Sequence, residues 1–398
     1  MKSIEQTNFS GKKVLVRVDY NVPLNENFQV TDVTRIKRTI PTVSKITGDG
    51  GIAILMSHLG RPKGQVNDSF SLKHILPTVS EILGKKVVFA GDVLSDEAEK
   101  VINSLKPGDV ALLENLRFHA EEEKGNPDFA KAIARLGDVY VNDAFGTAHR
   151  EHASTATIAK FFPHNCFAGH LLYDEASNLE KLFTSAQKPF TAIIGGSKVS
   201  TKLNILKNLV TKVDNLIIGG GMSYTFINAM GHEIGDSIFE PDMVDNAKEI
   251  LATAEKRGVK LYLPMDYVIA NDYREDADKK TTQSPDIPAG WQGMDIGPKT
   301  TQMFASVINS SKTILWNGPV GVFEWDTFAK GTCTIALCVS AATFAGAYSL
   351  IGGGDSIAAV NKAHFADHIS YISTGGGAML EYLEGIELPG IKALNDNE

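Results

Sequence analysis

Cysteine is scarce in this chain of 398 residues, which contains three, Cys166, Cys333 and Cys338. They form neither a C-x-x-C pair nor a zinc-ligand spacing, so a reducing, cytoplasmic compartment is the simplest interpretation. An apolar signal segment is also missing from the first residues, MKSIEQTNFSGKK, and this absence predicts that the protein is not secreted.

Positive charge is not in excess, because 39 Lys and Arg residues stand against 47 Asp and Glu residues. The resulting net charge of −8 argues against a protein that wraps nucleic acid or lies on an anionic membrane. One uncharged run, Gly331 to Gly354, invites comparison with a membrane span. It is rich in Ala, Ser, Thr and Gly and breaks at Gly346, so we expect a helix followed by a short strand.

Several catalytic signatures are absent. The sequence has no G-x-S-x-G motif and no Ser-His-Asp order, so hydrolysis by an activated serine has no support. It also lacks G-x-x-x-x-G-K-[ST] and G-x-G-x-x-G. A nicotinamide-dependent dehydrogenase, the enzyme alternative in the same fold class, would need the second of these motifs.

Short apolar runs instead alternate with longer amphipathic segments along the whole chain. This alternation predicts an α/β protein with parallel sheets, and the length suits two domains at ~100–200 residues each. The predicted strands of the first half are KVLVRV, GIAILMSH, KVVFA, DVALLENL and DVYVNDAF. Those of the second half are FTAIIGG, NLIIGGG, VKLYLP, KTILWNGP, AYSLIGGG and SYISTGGG.

The residues after these strands differ between the halves, and parallel sheets bind ligands at the carboxyl ends of their strands. Polar and basic side chains end the first-half strands: Arg17, Asp19, Asn21, His58, Arg61, Arg117, His119, His149 and Arg150. Glycines end four of the second-half strands, at 195–196, 219–221, 352–354 and 375–377. The first half therefore suits a small anion held by side chains, and the second suits phosphates held by backbone amides.

The stretch IIGGSKVSTK predicts a phosphate clamp. A helix that begins at Ser197 would place Lys198 and Lys202 on one face of its first turns, where they repel each other unless an anion lies between them. The alternative is a solvated basic helix face. The strand and the paired glycines that precede the lysines favour the clamp.

Two further stretches are consistent with a nucleotide-binding site. In LIGGGDS, Asp355 suits a ligand of phosphate-bound Mg²⁺, although an aspartate at this position could equally cap a helix. In WNGPVGVFE, Glu324 could accept hydrogen bonds from a ribose, whereas Trp316 is expected in the core. The histidines of the first half lack a metal-ligand spacing, so a metal site there is not favoured.

The junction of the two halves is predicted in GHLLYDEASNLEKLFTSAQKPF. Leu172, Ala176, Leu179 and Phe183 recur at helical steps, so this segment should be a helix with one buried face that ends before Pro189.

Ten motifs in order resemble the phosphoglycerate kinase family over nearly the whole chain: VRVDYNVP, SHLGRP, LLENLRFHAEEE, YVNDAFGTAHREHAS, IIGGSKVSTK, IIGGGMSYTF, DIGPKT, LWNGPVGVFE, IGGGDS and ISTGGGAMLEYLEG. The resemblance implies two Rossmann-like three-layer domains joined by a helix across a deep cleft. It implies a 3-phosphoglycerate domain at 1–169, an interdomain helix at 170–187, a nucleotide domain at 188–374 and a returning segment at 375–398.

The family pattern also implies roles for individual residues. The residues expected to bind 3-phosphoglycerate are Asp19, Asn21, Arg35, His58, Arg61, Arg117 and Arg150. Those expected to bind ATP or ADP are Gly195, Gly196, Lys202, Gly219, Gly220, Asn317, Pro319, Glu324, Gly353, Gly354, Asp355 and Ser356, with Asp355 on Mg²⁺. Arg35, Lys198 and Lys202 are expected to be catalytic.

The implied reaction is the reversible transfer of a phosphoryl group between ATP and the carboxylate of 3-phosphoglycerate, a step of glycolysis. The expected protein is a hinge-bending cytoplasmic monomer that binds neither nucleic acid nor membrane. A two-domain, non-enzymatic binder of a phosphorylated metabolite is the alternative. It would explain the basic loops of the first half but not the four glycine turns of the second.

Overall fold

The computed structural model describes residues 1–397, which divide into two compact units. Unit 1 contains residues 1–177 and the segment from residue 387 onward, and unit 2 contains residues 178–386. The functional domain limits given above stay a prediction, because they concern which residues bind which ligand.

The strands alternate with helices along most of the chain, as the apolar runs predict. The strands are β1 (Lys13–Val18), β2 (Ile52–Met56), β3 (Val87–Gly91), β4 (Val110–Leu113), β5 (Val139–Asp143), β6 (Cys166–Ala168), β7 (Phe190–Ile194), β8 (Asn215–Ile218), β9 (Lys260–Tyr262), β10 (Tyr267–Ala270), β11 (Lys279–Thr281), β12 (Gln292–Ile296), β13 (Thr313–Asn317), β14 (Tyr348–Gly352) and β15 (Tyr371–Ser373). The helices are α1 (Thr34–Lys37), α2 (Ile40–Gly48), α3 (Leu76–Leu83), α4 (Asp96–Ser104), α5 (Ala120–Glu123), α6 (Pro127–Ala134), α7 (His170–Thr184), α8 (Leu203–Leu209), α9 (Met222–Ala229), α10 (Val244–Arg257), α11 (Pro298–Asn309), α12 (Lys330–Phe344), α13 (Gly354–Lys362), α14 (Gly377–Leu383) and α15 (Pro389–Asn395).

Each unit is built on a parallel sheet of six strands. The order is β3-β4-β2-β1-β5-β6 in unit 1 and β15-β14-β13-β7-β8-β9 in unit 2. The central strands are buried along their whole length, as expected where helices cover both faces of a parallel sheet. The predicted α/β class with two parallel sheets is confirmed.

The order of strands reverses once in each sheet. In unit 1 the chain winds in opposite directions from β1 and from β5, and in unit 2 from β7 and from β13. Parallel sheets bind ligands beside such reversal points, outside the carboxyl ends of the two strands. The fold therefore indicates where a ligand site is expected in each unit.

Helix α7 begins where buried polar groups accept its free amides. Asp143 Oδ1 accepts the N–H of Leu171 at 2.8 Å, and Thr42 Oγ1 accepts the N–H of His170 at 2.9 Å. Leu172 and Leu179 are fully buried, which confirms the predicted apolar face.

Unit 2 also contains a small antiparallel sheet, in the order β11-β10-β12, that the sequence analysis did not predict. All three residues of β11 are exposed, so its sequence KKT has no apolar alternation to mark a strand. The uncharged run forms helix α12 and then β14, as predicted. Among residues 1–397, no helix is long and apolar enough to cross a membrane.

Candidate active site

The carboxyl end of β1 in unit 1 carries a group of polar side chains. Arg35 Nη1 donates to Asp19 Oδ2 at 2.9 Å and to the carbonyl oxygen of Asn21 at 3.0 Å. The side chain of Asn21 accepts the N–H of Gly60 at 2.9 Å. The loop after β5 lies against the same group, since a Cβ at Gly146 would be 2.8 Å from Asp19 Oδ2. Asp19, Asn21 and Arg35 thus meet at the point where the strand order reverses.

One carboxylate oxygen of Asp19 is available to accept a hydrogen bond from a ligand. Its Oδ1 is buried, lies 3.8 Å from His58 Nδ1, and has no hydrogen-bond partner in the part of the chain that the structure describes. A buried carboxylate oxygen without a partner is costly, so a ligand hydroxyl would be stabilised there.

The predicted arginines differ in exposure. Arg117 is largely buried, donates from Nη1 to the carbonyl of Gly60 at 3.0 Å, and lies 3.3 Å from Glu123 through Nε. Arg61 and Arg150 are exposed, and Arg150 lines an open pocket of about 550 Å³ with His149, His152, Lys124 and Lys160. Arg35 is intermediate, with 41% of its side chain exposed. The predicted arginines therefore include a largely buried one, a half-buried one and two that are exposed at the surface.

Two histidines near this edge, His58 and His152, have lowered pKa values. Burial lowers the pKa of His58 well below its usual value, and the neighbouring Arg17 and Arg117 lower it further. Burial and the same two arginines lower the pKa of His152 to about 3. His119 is different, because its hydrogen bond to Asp92, 2.7 Å long, raises its pKa. His58 and His152 therefore add no positive charge to the site at neutral pH.

Arg17 was noted only as a strand-end residue, without an assigned role toward a ligand, and it is fully buried at this edge. Its guanidinium donates to Ser154 Oγ at 2.9 Å, to the carbonyl of Val18, and to His58 Nδ1 at 3.2 Å. The available signal was an arginine inside the apolar run KVLVRV, since a buried charge requires partners.

In unit 2, the ends of β7 and β13 meet around Lys202. Its Nζ donates to the carbonyl oxygens of Gly195 at 2.8 Å and Asn317 at 3.0 Å. Burial lowers the pKa of this lysine to about 8, and Asp355 partly opposes that shift. The ammonium group therefore lies at the reversal point of the second sheet.

The predicted helix start at Ser197 is wrong, because α8 begins at Leu203. Gly196 has a φ of +107°, and Lys202 has non-helical torsions of −128° and 8°. Ser200 is held by Glu240, whose Oε2 accepts its N–H at 3.2 Å. Lys198 is exposed while Lys202 turns inward, so the two lysines do not share a helical face.

Glycines allow the backbone to pass closely around Lys202. A Cβ at Gly220 would lie 2.8 Å from the backbone of Gly196 and of Pro319, and one at Gly219 would lie 2.7 Å from Val320. Gly196, Gly220 and Pro319 border a pocket of about 390 Å³ in unit 2. Its lining includes Gly196, Gly220, Tyr224, Ile238, Tyr273, Met294, Pro319, Val322, Glu324 and Asp355.

The turn between β14 and α13 completes this edge. Gly353 has a φ of +96°, and its neighbour Gly352 accepts a hydrogen bond from Asn317 Nδ2 at 2.7 Å. Ser356 Oγ is buried and accepts the N–H of Gly318 at 2.6 Å. Asp355 is exposed inside the first turn of α13, whose N-cap is Gly353, so Asp355 does not occupy the cap position. Trp316 is fully buried, as predicted.

Residues 4–386 match the sequence profile of the family described as phosphoglycerate kinase. The chain belongs to the phosphoglycerate kinase family. A phosphoglycerate kinase of Porphyromonas gingivalis is 51% identical over 98% of this chain and 99% of its own length. "Phosphoglycerate kinase 3, cytosolic" of Arabidopsis thaliana is 49% identical over 99% of this chain and 98% of its own.

A solved structure leads to the same family. The structure of phosphoglycerate kinase from Coxiella burnetii superposes with a TM-score of 0.92 at 39% identity, covering 99% of this chain and 98% of that one. The chain is therefore an enzyme, a phosphotransferase of glycolysis, as its motifs predicted. The alternative of a non-enzymatic metabolite binder is not favoured.

Proposed function

We propose that unit 1 binds 3-phosphoglycerate, that unit 2 binds ATP or ADP, and that a phosphoryl group passes between the nucleotide and the substrate carboxylate. The supporting observation is the contrast between the two reversal points. Arginine side chains gather at the first, and glycine turns with one inward lysine gather at the second. The first arrangement suits a compact anion, and the second suits a polyphosphate.

In unit 1, the substrate would be held by charge and by hydroxyl recognition. Arg35, Arg61, Arg117 and Arg150 supply fixed positive charge for the phosphate and the carboxylate. The free Oδ1 of Asp19 would accept the hydroxyl of the substrate. Asn21 positions the loop at Gly60, and His58 supplies a neutral polar group.

In unit 2, the nucleotide would lie along the pocket beside Gly220. Ile238, Met294 and Val322 offer apolar surface for a base, and Glu324 suits a ribose hydroxyl. The turns at Gly195–Gly196, Gly219–Gly220 and Gly353–Gly354 leave room for phosphates beside the backbone. Asn317 and Ser356 connect these turns by hydrogen bonds to Gly352 and Gly318, and Pro319 packs against Gly195 and Gly220.

The chemistry needs charge neutralisation more than proton transfer. The acceptor carboxylate has an unperturbed pKa of ~3.5 and is ionised at neutral pH, so it needs no general base. Its approach to a polyphosphate is opposed by repulsion between anions. Arg35, Lys198 and Lys202 would stabilise the negative charge that spreads over the transferring group.

Asp355 is the residue that would hold Mg²⁺ together with the nucleotide. Within residues 1–397, no three His, Cys, Asp or Glu side chains are grouped so as to bind a metal without help. An exposed carboxylate beside a glycine turn fits a cation that takes its other ligands from phosphates and water. When bound, Mg²⁺ supplies positive charge to the phosphate oxygens.

We also propose that the protein acts as a cytoplasmic monomer. Its three cysteines form no disulfide within residues 1–397, and its Arabidopsis relative is called cytosolic. The proposed sites use residues of one chain only, so light scattering of the purified protein should give the mass of a single chain.

A direct assay tests the proposed reaction. The protein is mixed with 3-phosphoglycerate, ATP and Mg²⁺, and the acyl phosphate is trapped with hydroxylamine as a hydroxamate. We expect hydroxamate only when all three are present, and its absence would reject the reaction. Calorimetric titration with ADP separately tests nucleotide binding and should show heat without 3-phosphoglycerate.

A further inference from the structure

A buried glutamate lies behind the proposed substrate site and touches none of the predicted ligand-binding residues. Glu122 in α5 is fully buried, while its neighbours Glu121 and Glu123 are exposed. Both of its carboxylate oxygens contact Ser154. Oε1 accepts the hydroxyl at 2.6 Å, and Oε2 accepts the backbone N–H at 3.0 Å.

From Ser154, a continuous path of hydrogen bonds leads to the site. Ser154 Oγ accepts a hydrogen bond from Arg17 Nε at 2.9 Å, and Arg17 Nη2 lies 3.2 Å from His58 Nδ1. Every side chain on this path is buried. The path therefore connects Glu122 with a residue that is proposed to face the substrate.

The direction of each hydrogen bond follows from the chemistry of the groups. Arginine remains protonated and can only donate, so His58 Nδ1 must be the acceptor. The single hydroxyl proton of Ser154 is committed to Glu122, which leaves the serine oxygen free to accept from Arg17. With Nδ1 accepting, the proton of a neutral His58 lies on Nε2.

The surroundings of His58 keep the ring neutral. Arg17, Arg117, Arg35 and His152 face it, and Asp19 is the carboxylate nearest to it, with Oδ1 3.8 Å from Nδ1. Burial and the arginines lower its pKa well below the usual value. A neutral imidazole with a fixed tautomer is a directional hydrogen-bond donor.

We propose that Glu122 is a positioning residue: through Ser154 and Arg17 it fixes His58 as the Nε2–H tautomer, ready to donate to an anionic oxygen of the substrate. The role of His58 toward substrate rests on the function proposed above. The tautomer itself follows from contacts within unit 1 and can be measured without substrate. Glu122 is not proposed as a catalytic residue, because it is fully buried and its carboxylate oxygens accept hydrogen bonds from Ser154.

The simplest alternative is that Glu122 only balances the buried charge of Arg17. In that case its replacement would change stability but not the proton position on His58. Glu122→Gln is the informative substitution. In this variant the side-chain amide oxygen accepts the N–H of Ser154, so the amide nitrogen donates to Ser154 Oγ. The hydroxyl proton of Ser154 then needs a different acceptor. Glu121→Gln removes the same charge from an exposed position of the same helix and is the matched control.

The experiment is ¹⁵N NMR of the full chain labelled at histidine, with His58 assigned by His58→Gln. The wild-type protein and Glu121→Gln should show His58 as a single Nε2–H tautomer. Glu122→Gln should show a mixture of tautomers or exchange broadening. Detection of Nδ1–H or of imidazolium in the wild-type protein at neutral pH would overturn the proposal. So would a Glu122→Gln spectrum of His58 identical to that of the control.

A second variant is available if Glu122→Gln fails to fold. Ser154→Ala keeps Glu122 and the contact of its Oε2 with the backbone but breaks the path at the hydroxyl, and it should show the same mixture of tautomers. An unchanged His58 tautomer in this variant would also overturn the proposal.

Kinetics and substrate titration separate this proposal from the proposed function. In Glu122→Gln, the KM for 3-phosphoglycerate should rise about 5- to 10-fold, because the substrate would lose the equivalent of roughly one net hydrogen bond. The change in kcat should be smaller. An unchanged KM would reject the effect on substrate binding. If His58 shows the fixed tautomer but its signals do not respond to 3-phosphoglycerate, the path from Glu122 stands and the assignment of His58 to the substrate site fails.

Discussion

Lys202 has a structural role and is also proposed to bind the phosphates of the nucleotide. Its ammonium group connects two strand ends through the carbonyls of Gly195 and Asn317, while its pKa near 8 keeps it mostly charged at neutral pH. A bound phosphate at this edge would meet a cation that is already oriented, so little side-chain entropy would be lost on binding.

Lys202→Ala should therefore weaken the binding of ATP and slow turnover. The expected loss of affinity is about 10- to 100-fold, the range for a charge-assisted hydrogen bond. Calorimetry measures the affinity, and circular dichroism should show an intact fold. Lys207→Ala, at a surface ion pair with Glu249, is the control and should bind normally. Wild-type affinity in Lys202→Ala would contradict the assignment.

Asp355 offers a test of the metal site. Because the helix cap is Gly353, Asp355→Asn should change helix stability little. Loss of its charge should raise the Mg²⁺ concentration needed for half-maximal activity by about 10-fold or more. Asp367→Asn, also exposed, is the matched control. Unchanged Mg²⁺ dependence in Asp355→Asn would show that the carboxylate does not hold the ion.

At the scale of elements, Asp143 is the group that begins α7, and burial raises its pKa to about 7 from an ordinary value of 3.8. A carboxyl group whose pKa is higher in the folded state stabilises the fold at low pH. This stability is lost as pH rises through the folded pKa.

The wild-type protein should therefore lose stability relative to Asp143→Asn between pH 4 and about 7. Asparagine keeps an oxygen for the amide of Leu171 but does not titrate. The slope of the difference should be at most about 1.4 kcal/mol per pH unit, the value for one proton. Thermal or urea unfolding of both proteins at several pH values measures it. Parallel curves would show that Asp143 does not titrate in this range.

Eleven of the twelve strands in the two parallel sheets could be predicted, because apolar runs mark strands that are buried in a parallel sheet. Strand β6, which has three residues, was missed. Helix α7 could be predicted from its apolar period. Strand β11 could not, since its three residues are exposed and polar. The start of α8 was also misplaced, because Lys202 and Ser200 are held by partners distant in sequence, Asn317 and Glu240.

The predicted site residues came from motif order and from strand ends, and these signals indicate an edge of a sheet rather than contacts. They could not reveal that Ser356 bonds to Gly318 or that Lys198 is exposed. Ser154 and Glu122 were not predicted, and Arg17 was noted only as a strand-end residue, because their roles depend on a network that joins three separate segments. Sequence spacing carries no information on such networks.

At the scale of the whole molecule, the two substrates are proposed to bind to different units, yet phosphoryl transfer requires their reacting atoms to meet. We therefore expect the protein to be most compact when both ligands are bound. Small-angle scattering should show a clear fall in the radius of gyration with 3-phosphoglycerate and nucleotide together, and a smaller fall with either alone. Equal compaction by a single ligand would contradict this expectation.

The order of the chain through the two units has a consequence for synthesis on the ribosome. Unit 1 includes α15, whose Leu394 carbonyl lies 3.9 Å from the thiol of Cys166 in β6. That helix is made only after all of residues 178–386, a delay of ~10–40 s at about 5–20 residues per second. Unit 2 can meanwhile fold as a continuous segment. During the delay the nascent chain should expose Cys166 to a thiol reagent that cannot reach it once α15 has docked.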